Sequence, residues 1–280
     1  MTLSNFILIW LKNFVQIECK PSTEVMYRSV VNSHILPSSL SQMLLEDIKP
    51  VHGMEFRAYL MERNLKGRSI NKVLIVLKTM LNKAVELQYI PFNPLKSLKL
   101  LKLKPRKYEL WTQEQIDLFK ASETPWKPVI YLALFGGLRL GEIASLTRSD
   151  VFMEYRYIVL KDTKNGEDRK VPMCSELLAE MIAIMPTYYT NEILPDDRLF
   201  PIDDRTFTQK IFVPLCKRLG LPVIRFHDLR HLFATIYKQR GGDLFCLSKI
   251  LGHSSVKITE QTYLHVDMNS IQADYDRIFK

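Results

Sequence analysis

After Ser69, apolar residues recur as Ile70, Val73, Leu74, Leu77, Met80, Leu81, Ala84 and Val85, a stripe kept at helical spacing. A helix with one wide apolar stripe gains most of its stability from what covers that stripe, so this one requires helical neighbours. The preceding sequence supplies them. Ser4 is placed to cap a segment in which Phe6, Ile7, Trp10, Leu11, Phe14 and Val15 share a face. Ser22 or Thr23 opens a second segment through about Val30, stopped before Pro37, and a third runs from about His52 to Asn64. The stripe's own helix ends before Tyr89-Ile-Pro-Phe-Asn-Pro94. Residues 1–100 therefore read as a bundle of four short helices with basic exposed faces.

Charge says what such a bundle meets. The first 110 residues carry 17 Lys and Arg against eight acids, and the rest carry 22 of each, so the net +9 lies wholly in the first part. The excess peaks at Lys96, Lys99, Lys102, Lys104, Arg106 and Lys107, with no acid between them. A polyanion is the natural partner, because each neutralised phosphate releases counterions. On its own such a run is more simply a solvated basic linker. No lipidation signal or strongly amphipathic basic helix accompanies it to suggest a membrane. The longest apolar run, Val129–Phe135, falls far short of the ~18 residues a spanning helix needs. Phe6–Leu11 has no basic residue before it and is short for a secretory signal, so a cytoplasmic protein is expected. Cys19, Cys174, Cys216 and Cys246 lie far apart with no C-x-x-C, which reads as reduced, mostly buried thiols rather than a zinc site or disulfide framework.

Leu98–Lys107 has the composition of a linker, which sets the expected limits at 1–100, 101–110 and 111–280. Thr112 and Gln115 form a capping box that opens another helix. Trp126–Phe135 follows as an apolar helix, broken at Gly136-Gly137, and Leu138–Leu146 is helical again. The texture changes at Tyr155. Tyr157–Leu160 and Arg169–Pro172 are β-prone and flank Lys164-Asn165-Gly166-Glu167, and Asn-Gly is the strongest short-range hairpin signal. Beyond Ser175 the chain looks helical, with breaks near 186–201, 220–225 and Gly241-Gly242, and Ile271–Phe279 is the expected last helix. The fold class is mostly α with a small β-hairpin sheet.

A few residues in this frame could carry chemistry. Arg139 stands among Phe135, Leu138, Leu140 and Ile143, where a buried guanidinium needs an anionic partner. Glu142, three residues on, is either a structural pair or the group that orients Arg139 towards a phosphate. His227 and Arg230 are three apart and share a helical face, as a pair of oxyanion ligands or as a polar turn. His231 and Asp228 read as solvated or buttressing. His253 follows Leu251-Gly252 at a helix end, Tyr263 lies ten residues later, and Lys164 stands on the shoulder of the hairpin. Each alone has a bland explanation. Together they fit one reaction. A phenol of pKa ~10 attacks at neutral pH only if cations stabilise its phenolate. Two arginines and a histidine could hold the charge built up on a phosphodiester, and a lysine could protonate the leaving oxygen. The scheme uses no metal and no cofactor, and no paired-carboxylate constellation of the two-metal kind is found.

With Gly137-Leu-Arg139-Leu-Gly-Glu142, Thr163-Lys164-Asn-Gly166, His227-Asp-Leu-Arg230-His231, Leu251-Gly-His253-Ser-Ser255 and Tyr263 in this order, the chain resembles the tyrosine recombinases, the phage integrase family. The resemblance implies a helical, SAM-like core-binding domain, a basic linker and a mainly helical catalytic domain with a small β-hairpin sheet. It implies a site-specific DNA recombinase in which Tyr263 forms a 3′-phosphotyrosyl bond to double-stranded DNA. Arg139 and Arg230 would clamp the scissile phosphate, His227 and His253 would assist by hydrogen bonding and proton handling, and Lys164 would protonate the 5′-hydroxyl. Family members work as a homotetramer on two DNA sites, which makes Ile271–Phe279 the candidate exchange helix, and some use accessory DNA-bending proteins.

The chain departs from the family pattern in two places. The His253–Tyr263 spacing is one longer than the commonest version, and Leu232 stands where a hydroxylated residue is usual, which reads as packing. The chain begins almost at the bundle, so no separate domain for a second class of DNA sites is expected. Two alternatives keep the same residues: a topoisomerase-like nicking-closing enzyme, and a catalytically inactive integrase-like DNA-binding protein.

Overall fold

The computed structural model describes residues 1–103, 109–161, 168–190 (the helix alone over 185–190) and 198–252. The chain divides into two compact units, Met1–Arg106 and Lys107–Lys280.

In the first unit, α1 (Leu3–Trp10) buries Leu3, Phe6, Ile7 and Trp10. Its cap is Thr2 rather than Ser4: the Thr2 hydroxyl accepts from the Asn5 N–H at 3.3 Å. The helix widens into a π turn over Leu11–Val15 and closes with α2 (Gln16–Glu18). Next come α3 (Pro21–Val30), continued by a π turn over Val31–Ile35, and α4 (Pro50–Glu62). Both α3 and α4 begin on a proline, whose missing N–H would have had no helical partner there and whose φ is already helical. That moves their starts ahead of Ser22 and His52. The stripe lies on α5 (Gly67–Glu86), which buries Ile70, Val73, Leu74, Val76, Leu77, Met80, Leu81 and Ala84, while Val85 is half-buried.

Leu98–Leu101, expected as the start of the linker, instead lies pinned on this bundle. Buried Asn71 of α5 donates to the Leu101 carbonyl at 2.9 Å and accepts from the Leu101 N–H at 2.8 Å. Lys78 donates to the carbonyls of Lys96 and Leu98, and Arg57 donates to that of Lys99.

The second unit opens with α6 (Gln113–Ala121), held by the expected capping box. The Thr112 hydroxyl accepts from the Gln115 N–H at 3.4 Å, and the Gln115 side chain accepts from the Thr112 N–H at 3.0 Å. Next, α7 (Lys127–Leu134) buries every residue from Pro128 onward. It sits in a core with Phe119, Ile143, Val171, Leu177, Phe212 and Leu229. α8 (Leu140–Ala144) starts later than expected, because Arg139 is still extended at φ −78°, ψ 150° and serves as its N-cap.

Three antiparallel strands follow in the order β1 (Val151–Phe152), β2 (Tyr157–Leu160), β3 (Arg169–Pro172). Ile158 pairs with Val171 and Leu160 with Arg169, so these four side chains share the buried face. The two expected strands therefore pair; residues 162–167 between them lie outside the described residues. α9 (Ser175–Thr190) runs through Pro186, past the expected break. A π turn at Thr208–Phe212 leads into α10 (Val213–Arg218), and α11 (Phe226–Gln239) and α12 (Leu244–Leu251) complete the described fold. Leu232 packs in the core, as read from the sequence. The cysteines differ from expectation: Cys216 alone is buried, whereas Cys174 and Cys246, beside the first turns of α9 and α12, are exposed. No helix among the described residues is long and apolar enough to cross a membrane.

Candidate functional site

The site begins at a turn. After α7 the chain reverses through Gly137 at φ +67°, a left-handed conformation that side-chain-bearing residues rarely adopt. A Cβ there would also lie 2.6 Å from the Phe233 ring, so both the backbone and its neighbour demand glycine. The turn delivers Arg139 to the N-terminus of α8. Glu142, at the third helical position, accepts from the Arg139 N–H at 2.7 Å and from its Nη1 at 2.7 Å. The capping arrangement, more than helical spacing alone, brings the two side chains together. The other guanidinium nitrogens of Arg139 make no hydrogen bond to a described residue, and its side chain is about a third exposed at 35%.

Two further guanidiniums meet Glu142 from elsewhere in the chain. Arg169, at the start of β3, gives a two-pronged pair: Nη1 to Oε1 at 3.0 Å and Nη2 to Oε2 at 2.8 Å. Arg230, on α11, is only 1% exposed and brings its Nη1 to 3.9 Å from Glu142 Oε2. Arg230 also donates to the Gly137 carbonyl at 2.6 Å and to the Leu251 carbonyl. Arg169 Nε donates to the neighbouring Ile250 carbonyl at 2.8 Å. These are the last carbonyls of α12, which lack helical partners and carry the negative end of its dipole. Two arginines thus cap α12 just before Gly252, which turns the chain out of the helix at φ +62°.

Among the described residues, three cations surround this one carboxylate. Burial pushes the Glu142 carboxyl up, but hydrogen bonds and charge from Arg169 and Arg139 outweigh it and hold its pKa below the ordinary range. His227 lies one turn before Arg230 with its outer side open to solvent. Desolvation of the rest of the ring, then the charges of Arg230, Arg139 and Arg225, lower its pKa, so it is neutral near pH 7. His231 stacks edge-on against it, with centroids 5.0 Å apart, and is pushed down to about 4, first by desolvation and then by the charge of His227. Asp228 accepts from the Arg225 N–H and guanidinium at the start of α11, which is the buttressing role read for it.

The structure therefore brings Arg139, His227 and Arg230 together. Lys164, His253 and Tyr263, with the 271–279 segment, lie outside the described residues. The sequence reading missed Arg169. An arginine on the buried face of a strand has no local signature when its partners stand 27 and 81 residues away; its alternation with Ile158, Leu160 and Val171 was the one available signal. Among the described residues, no group of three or more His, Cys, Asp or Glu side chains is arranged to hold a metal ion.

Comparison with known proteins decides the family. Residues 110–270 match the Phage integrase family, and residues 2–61 match the Phage integrase, N-terminal SAM-like domain. The chain belongs to the phage integrase family. It is an enzyme of the tyrosine-type, site-specific DNA recombinase class. The ICEBs1 integrase of Bacillus subtilis (strain 168) is 26% identical over 94% of this chain and 79% of its own length. The tyrosine recombinase XerA of Saccharolobus solfataricus is 32% identical over 61% of this chain and 58% of its own. Among solved structures, the Tn1549 transposon integrase in complex with a circular intermediate DNA shares the fold at a TM-score of 0.83, with 21% identity over 99% of both chains.

Proposed function

We propose that this recombinase cuts and rejoins duplex DNA through a covalent 3′-phosphotyrosyl intermediate on Tyr263, without metal or ATP. The observation that carries the reading is that Arg139 and Arg230, from distant segments, meet at Glu142, both near enough to His227 for their charges to lower its pKa. Attack on a phosphodiester places charge on the non-bridging oxygens. Preorganised guanidiniums in a partly desolvated site stabilise that charge without reorganising. Arg139 has donors to offer, and buried Arg230 adds its charge. A neutral His227 can accept a proton through one ring nitrogen and donate a hydrogen bond through the other near pH 7. In this scheme His253 shares the proton handling, and Lys164 is the general acid that protonates the departing 5′-oxygen. The phosphotyrosyl bond conserves the energy of the bond that was cut, so a hydroxyl from a second strand can reseal it.

The reading extends to assembly. Residues 1–100 form the DNA-gripping core-binding domain and 101–110 the basic linker, and their surplus of lysine and arginine suits a phosphate backbone. Four copies act on two DNA sites in the cytoplasm, each docking its 271–279 segment on a neighbour, with DNA-bending proteins as accessory partners. The setting is a mobile element.

The test is covalent capture. Wild-type protein is incubated with nicked duplex fragments from the DNA flanking its own gene, denatured in SDS, and the attached DNA recovered and sequenced. A denaturation-resistant adduct is expected from wild type and none from Tyr263→Phe. An equal adduct from Tyr263→Phe would remove Tyr263 as nucleophile, and binding without any wild-type adduct would remove the catalytic reading.

A further inference from the structure

We infer that Arg169 is a positioning residue of this site: it occupies Glu142 and the end of α12 at once, so that Arg139 presents its outer donors to the scissile phosphate. The inference rests on the strand-cleavage reading above. Its basis is the bonding of one carboxylate. Glu142 Oε2 accepts from the Arg139 N–H and from Arg169 Nη2, and Oε1 accepts from Arg139 Nη1 and Arg169 Nη1. With its lone pairs so filled, Glu142 can take only one prong of Arg139. Remove Arg169, and the partly exposed Arg139 side chain is free to close on Glu142 with both prongs, the geometry a guanidinium and a carboxylate prefer. Its outward donors would then be lost to the substrate.

The third nitrogen of Arg169 has a second task. Nε holds the Ile250 carbonyl, three residues before His253, while Arg169 itself follows Lys164 by five residues. One side chain thus joins the strand leading from the lysine, the cap that holds Arg139, and the helix end leading to the second histidine. Gly252 supports this independently. A Cβ at Gly252 would stand 2.9 Å from Arg169 Cδ and 3.0 Å from Nη1, so the backbone approaches Arg169 as closely as it can only because residue 252 has no side chain. Arg169 is 9% exposed and has every nitrogen engaged within the protein, so it acts through Arg139 and Glu142 rather than on DNA.

The experiment measures first-order cleavage of the nicked duplex at saturating protein, alongside the Kd for the same DNA. The proteins are wild type, Arg169→Met, Arg169→Lys, Glu142→Gln and the Arg169→Met/Glu142→Gln double variant. Arg169→Met is expected to cleave on the order of 10- to 100-fold more slowly, the penalty of a misplaced group, with the Kd changed by less than about threefold. In the Glu142→Gln background the same change should add less than about twofold, because the two act as a unit. The Arg169→Met to wild-type rate ratio should also rise from pH 8 to pH 5.5. Without Arg169, burial raises the Glu142 carboxyl, and once protonated it no longer holds both prongs of Arg139 on its own element or attracts Arg230 on α11, so the outer donors of Arg139 are released. His227 and His231 titrate in both proteins and cancel in the ratio.

A merely structural role for Arg169 would give a pH-independent ratio and independent, multiplicative losses in the double variant; either result overturns the inference. If Arg169→Met does not fold, Arg169→Lys is read in its place. It keeps the charge but cannot span two acceptors and a carbonyl, so the slow, pH-sensitive cleavage is still expected. Wild-type adduct with an unimpaired Arg169 variant overturns this inference alone, whereas no wild-type adduct overturns the cleavage reading and this one with it.

Discussion

The two units bury their polar groups in opposite ways. In the first, the buried polar residues are Ser38, Ser41, Asn71 and Asn93, all neutral. Asn71 and Asn93 each pair with backbone: Asn71 with both groups of Leu101, Asn93 with the Lys78 carbonyl and the Leu95 N–H. In the second, the buried set includes Asp150, Arg169, Asp228 and Arg230. A neutral amide that satisfies one loop is a fold device, since it costs little to bury once both its ends are bonded. Buried charge is a worse way to gain stability, because desolvation offsets most of the attraction. Among the described residues the second unit concentrates its charge at one point, with three guanidiniums around Glu142.

That contrast can be broken by substitution. Glu142→Ala should have the largest effect: it strips buried Arg169 of its two-pronged carboxylate pair, at a cost of about 3–5 kcal/mol in chemical denaturation. Next comes Leu74→Ala, at a fully buried position of α5, expected to cost about 2–5 kcal/mol through the cavity it leaves. Asn71→Ala should follow at about 1–3 kcal/mol, the penalty of two unbonded groups on Leu101. A loss there equal to that of Glu142→Ala would erase the distinction between the interiors. Thr112→Ala, which removes only a cap, should cost about 1 kcal/mol.

Titration sharpens the same point. The folded-state pKa of Glu142 lies below its unfolded value, so its contribution is full above that value, about 4.3, and is lost as pH falls through the folded one. Unfolding followed from pH 6 down to pH 3 should therefore show a steeper acid loss in wild type than in Glu142→Gln. Equal slopes would mean that the carboxylate is not held by its arginines.

Much of this was legible in the chain, and what was not has physical reasons. The stripe of α5 was readable because every burial decision on that helix follows one period, and the capping box at Thr112 because both halves lie within four residues. The helix start at Pro21 was misplaced because Ser22 and Thr23 competed as cap signals, and that at Pro50 because its N-cap, Lys49, is not a capping residue type. β1 went unseen because two residues carry no alternation. At the site, Arg139 and Glu142 could be paired by spacing and Arg230 by its neighbour His227. Arg169 could not, because what buries it is a carboxylate and a helix end that only the folded chain brings near.

The pairing of β2 and β3 ends with Leu160 opposite Arg169. A slip of one residue in β3 would carry Lys170 inward and turn Arg169 out to solvent, because successive side chains face opposite ways. Lysine has no fork with which to meet both a carboxylate and a carbonyl. The arginine therefore acts as a parity check on the sheet. Only the correct alignment sets one side chain on both Glu142 and the Ile250 carbonyl, so the number of residues between Leu160 and Arg169 can change without changing the register that follows.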